Sequence, residues 1–86
     1  MKLSDVKVGA SAVVTAVVDG VRSRRLEDLG FWPGTLVRVE RRAPLGDPVV
    51  YELRGVRLAM RRADAALVEV VETDHVVEAV DGDGPR

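Results

Sequence analysis

Eighteen of the 86 residues are valine and none is cysteine. A β-branched side chain is stiff at χ1 and fits a pleated surface, so this chain is directed toward strands. Without cysteine, neither a disulfide framework nor a thiolate metal site can supplement the core. Apolar packing alone must hold the fold, in a chain whose length suits one domain. Such a chain hides roughly 60–65% of its unfolded surface and keeps a stability of only a few kcal/mol.

The local patterns divide the chain into short strands. Leu3 to Gly9 reads as an apolar-anchored turn closing at Gly9. Ala12–Val18 is a strand by length and β-branching. It is apolar on both faces, which requires a well-covered central strand or a bulge. Asp19-Gly20 ends it. Val21–Leu29 holds no glycine or proline, and Leu26 and Leu29 lie three apart among charged residues. This predicts a helix that buries those two leucines. Gly30 stands where a helix C-terminus needs positive φ. Phe31-Trp32-Pro33-Gly34 reads as a turn, with proline presetting φ and glycine following it.

The second half of the pattern is more regular. Val37 and Val39 alternate with Arg38 and Glu40, so the valines should point inward. Ala43–Pro48 carries two prolines and a glycine and is a loop. Residues 48–61 predict a hairpin turning at Arg54-Gly55, with Val49, Tyr51, Leu53, Leu58 and Met60 on its apolar face. One helical turn at 62–66 precedes a last strand, Leu67–Val71, with Val68 and Val70 inward. Five short strands and one or two short helices predict a small closed barrel, which would remove exposed edges.

After residue 72 the pattern stops. Residues 72–86 carry five acids and one base, a net of −4, while residues 1–71 carry nine acids and twelve bases, a net of +3. The expected organisation is a barrel domain over 1–72 and an acidic, disordered tail over 73–86. No run of apolar residues is long enough to span a bilayer, and the N-terminus lacks the apolar core of a secretory signal, so the expectation is a cytoplasmic protein.

Most chemistry fails on inventory. The one histidine, His75, falls in the predicted tail, so no imidazole can serve a triad or an acid–base pair. Ser4, Ser11 and Ser23 have no base nearby in sequence, and no phosphate-cradling GxxxxGK[ST] loop occurs. A zinc site wants four Cys or His ligands. Iron or manganese takes carboxylates, but Asp5, Glu27, Asp28, Glu52, Asp64 and Glu69 show no spacing that gathers them. Direct binding of Fe²⁺ or another divalent metal thus has no support in the sequence. Nucleic-acid binding wants exposed aromatics along a basic groove. Here Tyr51 faces the predicted core, and Phe31-Trp32 form one clump on a mildly basic domain. The reading is a chain with no catalytic residue, no resident cofactor and no metal ligand set.

The segment Arg24-Arg-Leu-Glu-Asp-Leu-Gly-Phe-Trp-Pro-Gly-Thr35 resembles the helix-and-turn signature of the ferrous iron transport protein A family, FeoA. Ala43–Pro48 resembles that family's loop before the hairpin, and Gly55–Arg61, Ala63–Ala65 and Val68–Val70 are similar to its closing strands. The likeness runs in order over about residues 3–72. It implies an SH3-like barrel with a helix inserted after the first strand. It also implies a small cytoplasmic bacterial protein, not an enzyme, that accompanies FeoB, the membrane ferrous iron transporter with a cytoplasmic GTPase domain, and regulates it by contact. The same barrel closes iron-dependent repressors, but this chain has no room for a helix-turn-helix, so a repressor is not expected. The readings kept beside it are a metal- or nucleotide-sensing barrel and a small nucleic-acid-binding barrel.

A module without a pocket acts by contact, and interfaces favour aromatic, Met and Arg anchors. The candidate partner-binding residues are Arg22, Arg24 and Arg25 on the outer helix face, Phe31 and Trp32 at its end, and Leu45 at a loop tip. Arg24 has an i, i+4 alternative partner in Asp28, and Phe31 or Trp32 has the alternative of plugging a barrel end. Leu26, Leu29, Gly30, Pro33, Gly34 and Gly55 are expected to be structural.

Overall fold

Valine's preference is realised in five antiparallel strands of one sheet, seen in a computed structural model that describes residues 1–73. The strands are β1 (Ser11–Val17), β2 (Leu36–Arg42), β3 (Val49–Leu53), β4 (Val56–Met60) and β5 (Val68–Thr73). Their order is β4-β3-β2-β1-β5. Two short helices interrupt them, α1 (Ser23–Asp28) and α2 (Arg62–Ala65), and a 3-10 turn spans Leu3–Asp5. The predicted tail lies outside the described residues from Asp74 on.

β1 lies between β2 and β5, and its register shifts at Thr15. Both devices offered for its two-sided apolar pattern are therefore present. Before the shift Ala12 and Val14 are buried; after it Ala16 is exposed. A bulge re-aims the chain in this way, because one extra residue reverses the inward and outward sets. The Thr15 hydroxyl donates to the Glu69 carbonyl at 3.1 Å and holds the bulge against β5.

Alternation in β2, β3 and β5 places Val37, Val39, Val49, Tyr51, Leu53, Val68 and Val70 in the core. Burying each such side chain is worth about 1.5–3 kcal/mol, which is large against the net stability of a domain this size. The hairpin turns on two residues, Arg54 at φ 54° and Gly55 at φ 79°. Positive φ at both central positions is the twist-matched two-residue turn. On the outer face Arg57 donates to Glu40 at 2.7 Å and Arg38 to Glu52 at 3.5 Å. Such exposed pairs are worth about 0–1 kcal/mol and orient side chains more than they stabilise.

Among the described residues strand pairing does not close the barrel. β4 and β5 are the two edges of the sheet, and among the described residues they do not pair with each other. Leu3 and Val6 of the N-terminal turn bury against the β5 side, where Lys2 bridges to Glu69. α1 and α2 face β4 across an open cleft. Where β4 and β5 do not pair, helices and a turn flank what pairing leaves open.

Candidate functional site

The candidate surface is organised by how α1 ends. The helix covers six residues, Ser23–Asp28, rather than the predicted Val21–Leu29. At its C-terminus Gly30, at φ 113°, donates to the Glu27 carbonyl at 2.9 Å, and Phe31 donates to the Leu26 carbonyl at 3.1 Å. These two bonds form a Schellman motif, whose apolar contact joins the residue after the glycine to the helix's third-last residue. Phe31 and Leu26 are accordingly both buried. A Cβ on Gly30 would also stand 3.3 Å from Leu53 Cδ1, so this position favours glycine on two counts.

The next turn follows at once. Thr35 donates to the Trp32 carbonyl at 2.9 Å, with Gly34 at φ 92°. Pro33 and Gly34 thus occupy the positions the sequence assigned to them, in a type II turn. Gly34 donates to Val14 and Val14 to Thr35, at 2.7 and 2.9 Å, which fastens the turn to β1.

Two sequence expectations change here. Leu29 is 41% exposed, not buried. Three residues turn a helix by about 300°, so Leu29 sits about 60° around from Leu26. The helix stops at the cap before another turn can cover it. Phe31 is fully buried and is a core residue, so it cannot serve as a partner contact. Its neighbour Trp32 is 49% exposed, which leaves the indole available.

The exposed candidates fall into three places. The first is the cleft of about 600 Å³ between α1, β4 and α2. Leu26, Leu29, Leu58 and Met60 form its apolar lining. Arg22, Arg25, Arg61 and Asp64 supply its charge. Arg22 pairs with Asp64, and Arg25 and Arg61 have no ion-pair partner among the described residues. The second is a cleft of about 690 Å³ lined by Trp32, Leu36, Leu53 and Arg54 beside the Arg38–Glu52 pair. The third is Leu45, 97% exposed at the tip of its loop and part of neither cleft. The Asp47 carboxylate accepts from the Arg62 backbone N–H at 2.9 Å and fastens this loop to α2. Arg24 is exposed, and its i, i+4 pair with Asp28 is not formed.

Leu29 and Leu58, read from sequence only as core residues, join the first cleft with Arg61, which was not singled out, and Leu36 joins the second. The signal for Leu36 was present: if Val37 and Val39 point inward, Leu36 must point out beside Arg38. The other three come together only through the fold.

The carboxylates are dispersed. Glu52 and Asp64 engage arginines, and Glu69 engages the N-terminal ammonium at 3.7 Å. Among the described residues no three Asp, Glu, His or Cys side chains converge. Burial pushes the Tyr51 phenol above its ordinary pKa, partly opposed by Arg42 and Arg62. The bond to Glu40 raises that of Arg57, which stays charged in any case.

Comparison with known proteins agrees with this architecture. The model of the FeoA domain family matches residues 1–72. A relative from Porphyromonas gingivalis, the Fe(2+) transport protein A/Fe(2+) transporter FeoB fusion protein, is 39% identical over 71 residues. That match covers 81% of this chain, and the chain spans only 8% of the fusion protein's length. The FeoA protein of Chlorobium tepidum superposes with a TM-score of 0.77 at 39% identity, covering 95% of this chain and 81% of that one. The FeoA of Stenotrophomonas maltophilia, solved in complex with zinc and described as an SH3 domain protein, gives 0.75 at 33% identity, with coverage of 86% and 96%. The open five-stranded barrel, the capped helix after its first strand and the match over residues 1–72 together make this chain a member of the FeoA domain family.

Proposed function

We propose that this chain is a non-catalytic cytoplasmic accessory of bacterial ferrous iron uptake, which regulates a FeoB-like membrane transporter by binding the transporter's cytoplasmic part. The observation that carries this reading is the Porphyromonas gingivalis relative, named as a fusion of transport protein A with the transporter FeoB. Two units joined in one polypeptide are held at high effective concentration, which suits a contact that is weak between separate chains. No helix among the described residues is long and apolar enough to cross a membrane, which fits an accessory better than a second transport path. The exposed Trp32, Arg24 and Leu45 supply contact groups of the kind interfaces favour.

The test is a pull-down of the cognate transporter's cytoplasmic part by the full chain, with and without GTP. Capture by the wild-type chain is expected. Arg24→Glu and Leu45→Asp alter exposed side chains and should leave the melting temperature unchanged. Loss of capture in either one locates a contact. Capture by neither wild type nor variants in both nucleotide states would overturn the reading.

A further inference from the structure

The geometry points to the cleft beside β4 as a docking site for an extended acidic segment of a partner protein, which adds to the sheet as a sixth strand. Three observations carry this. The first is an open hydrogen-bonding edge. Among the described residues β4 pairs only with β3. Counting from the Leu53–Val56 pair that closes the two-residue turn, ladder bonds alternate, so the backbone groups of Arg57 and Ala59 face away from β3. Among the described residues those groups have no other backbone partner. The second is apolar depth along that edge: Leu29 and Leu58 are only partly covered above Leu26 and Met60. A strand lying about 4.8 Å from β4 would present every second side chain to this lining. The third is charge. Among the described residues only Arg22 of the cleft's three arginines is ion-paired, which leaves Arg25 and Arg61 to meet carboxylates.

The same charges decide against the common fate of an exposed edge, pairing with a second copy. Two β4 edges side by side would bring the cleft arginines of the two copies together, Arg61 of each having no ion-pair partner among the described residues, and like charges brought together destabilise a sheet. An acidic strand meets the opposite sign. The inference goes beyond the transporter reading, since any protein carrying such a segment would satisfy it.

The experiment is an amide NMR titration of the full chain with the probe acetyl-Glu-Val-Glu-Val-Glu-Val-Glu-amide. At saturation, hydrogen exchange at the Arg57 and Ala59 amides should slow at least about tenfold, since both donors become bonded. Arg25→Glu combined with Arg61→Glu should weaken binding about tenfold or more, and the lysine analogue of the peptide should not bind. Ala59→Pro removes only an outward N–H, which an edge strand tolerates, and should abolish binding. Should that variant not fold, the charge reversals and the exchange measurement still decide. Unchanged exchange at Arg57 and Ala59, equal binding of the lysine peptide, perturbation confined to the Trp32 cleft, or no binding at millimolar peptide would each overturn the proposal. None of these outcomes bears on capture by the transporter, so the two readings fail separately.

Discussion

β2 and β3 place their inward residues by alternation up to a register shift at Glu40, whereas the segment from Leu26 to Trp32 sorts its apolar residues against simple expectation. In the strands, Val37, Val39, Val49 and Tyr51 are all buried. In the helix-and-turn segment, Leu26 and Phe31 are buried while Leu29 and Trp32 are half exposed. The difference is one of constraint. A strand paired on both sides cannot rotate, so between bulges period two settles each side chain's face. A helix of six residues has little orienting power of its own; its cap decides which side chains meet the core.

Removing the residue that joins the two regions should have the largest effect. Phe31→Ala deletes a fully buried ring at the Schellman contact and should cost about 3–5 kcal/mol, comparable with the whole stability of such a domain. A largely unfolded variant by circular dichroism is the expected outcome. A folded one with a normal denaturation midpoint would show that the cap contact does not organise this region.

A pair of glycine substitutions sharpens the comparison. Gly30 and Gly34 both hold positive φ, but only Gly30 has a neighbour where a Cβ would stand. Gly34→Ala should cost about 1–2 kcal/mol for backbone conformation alone. Gly30→Ala should cost more, because Leu53 must also shift. Equal losses in urea unfolding would mean that packing against Leu53 contributes nothing.

A smaller effect is expected at the other leucine of the helix. Leu29→Ala should cost about 1 kcal/mol or less, because the side chain is already 41% exposed. A loss as large as that of Leu26→Ala, about 2–5 kcal/mol, would restore the simple amphipathic helix. The smallest effect is one of pH. The folded Tyr51 phenol holds its proton to higher pH than the unfolded chain does. Above about pH 10 the unfolded state loses its proton first, so stability should fall with rising pH in that window. Tyr51→Phe should flatten this decline. An identical decline in both proteins would assign it to other groups.

Much of the fold could be read from residues alone. The hairpin at Arg54-Gly55, the bulged or doubly flanked first strand, the turn at Pro33-Gly34 and the cap at Gly30 each rest on local conformational chemistry that needs no knowledge of distant residues. The inward faces of β2, β3 and β5 follow from period two. The family could be recognised for the same reason, since its motifs are these caps and turns in series. Barrel closure could not be read, because it depends on whether two strands far apart in sequence meet, and among the described residues β4 and β5 do not. Leu29, Leu58, Arg25 and Arg61 share a cleft only because α1 stops at Gly30 and settles across from β4. The candidate site was therefore legible as a set of exposed arginines and one indole, but not as a place. Local chemistry sets where the chain turns and which face of each strand is apolar. Long-range packing alone decides which faces and edges are left uncovered, and among the described residues it leaves the edge of β4.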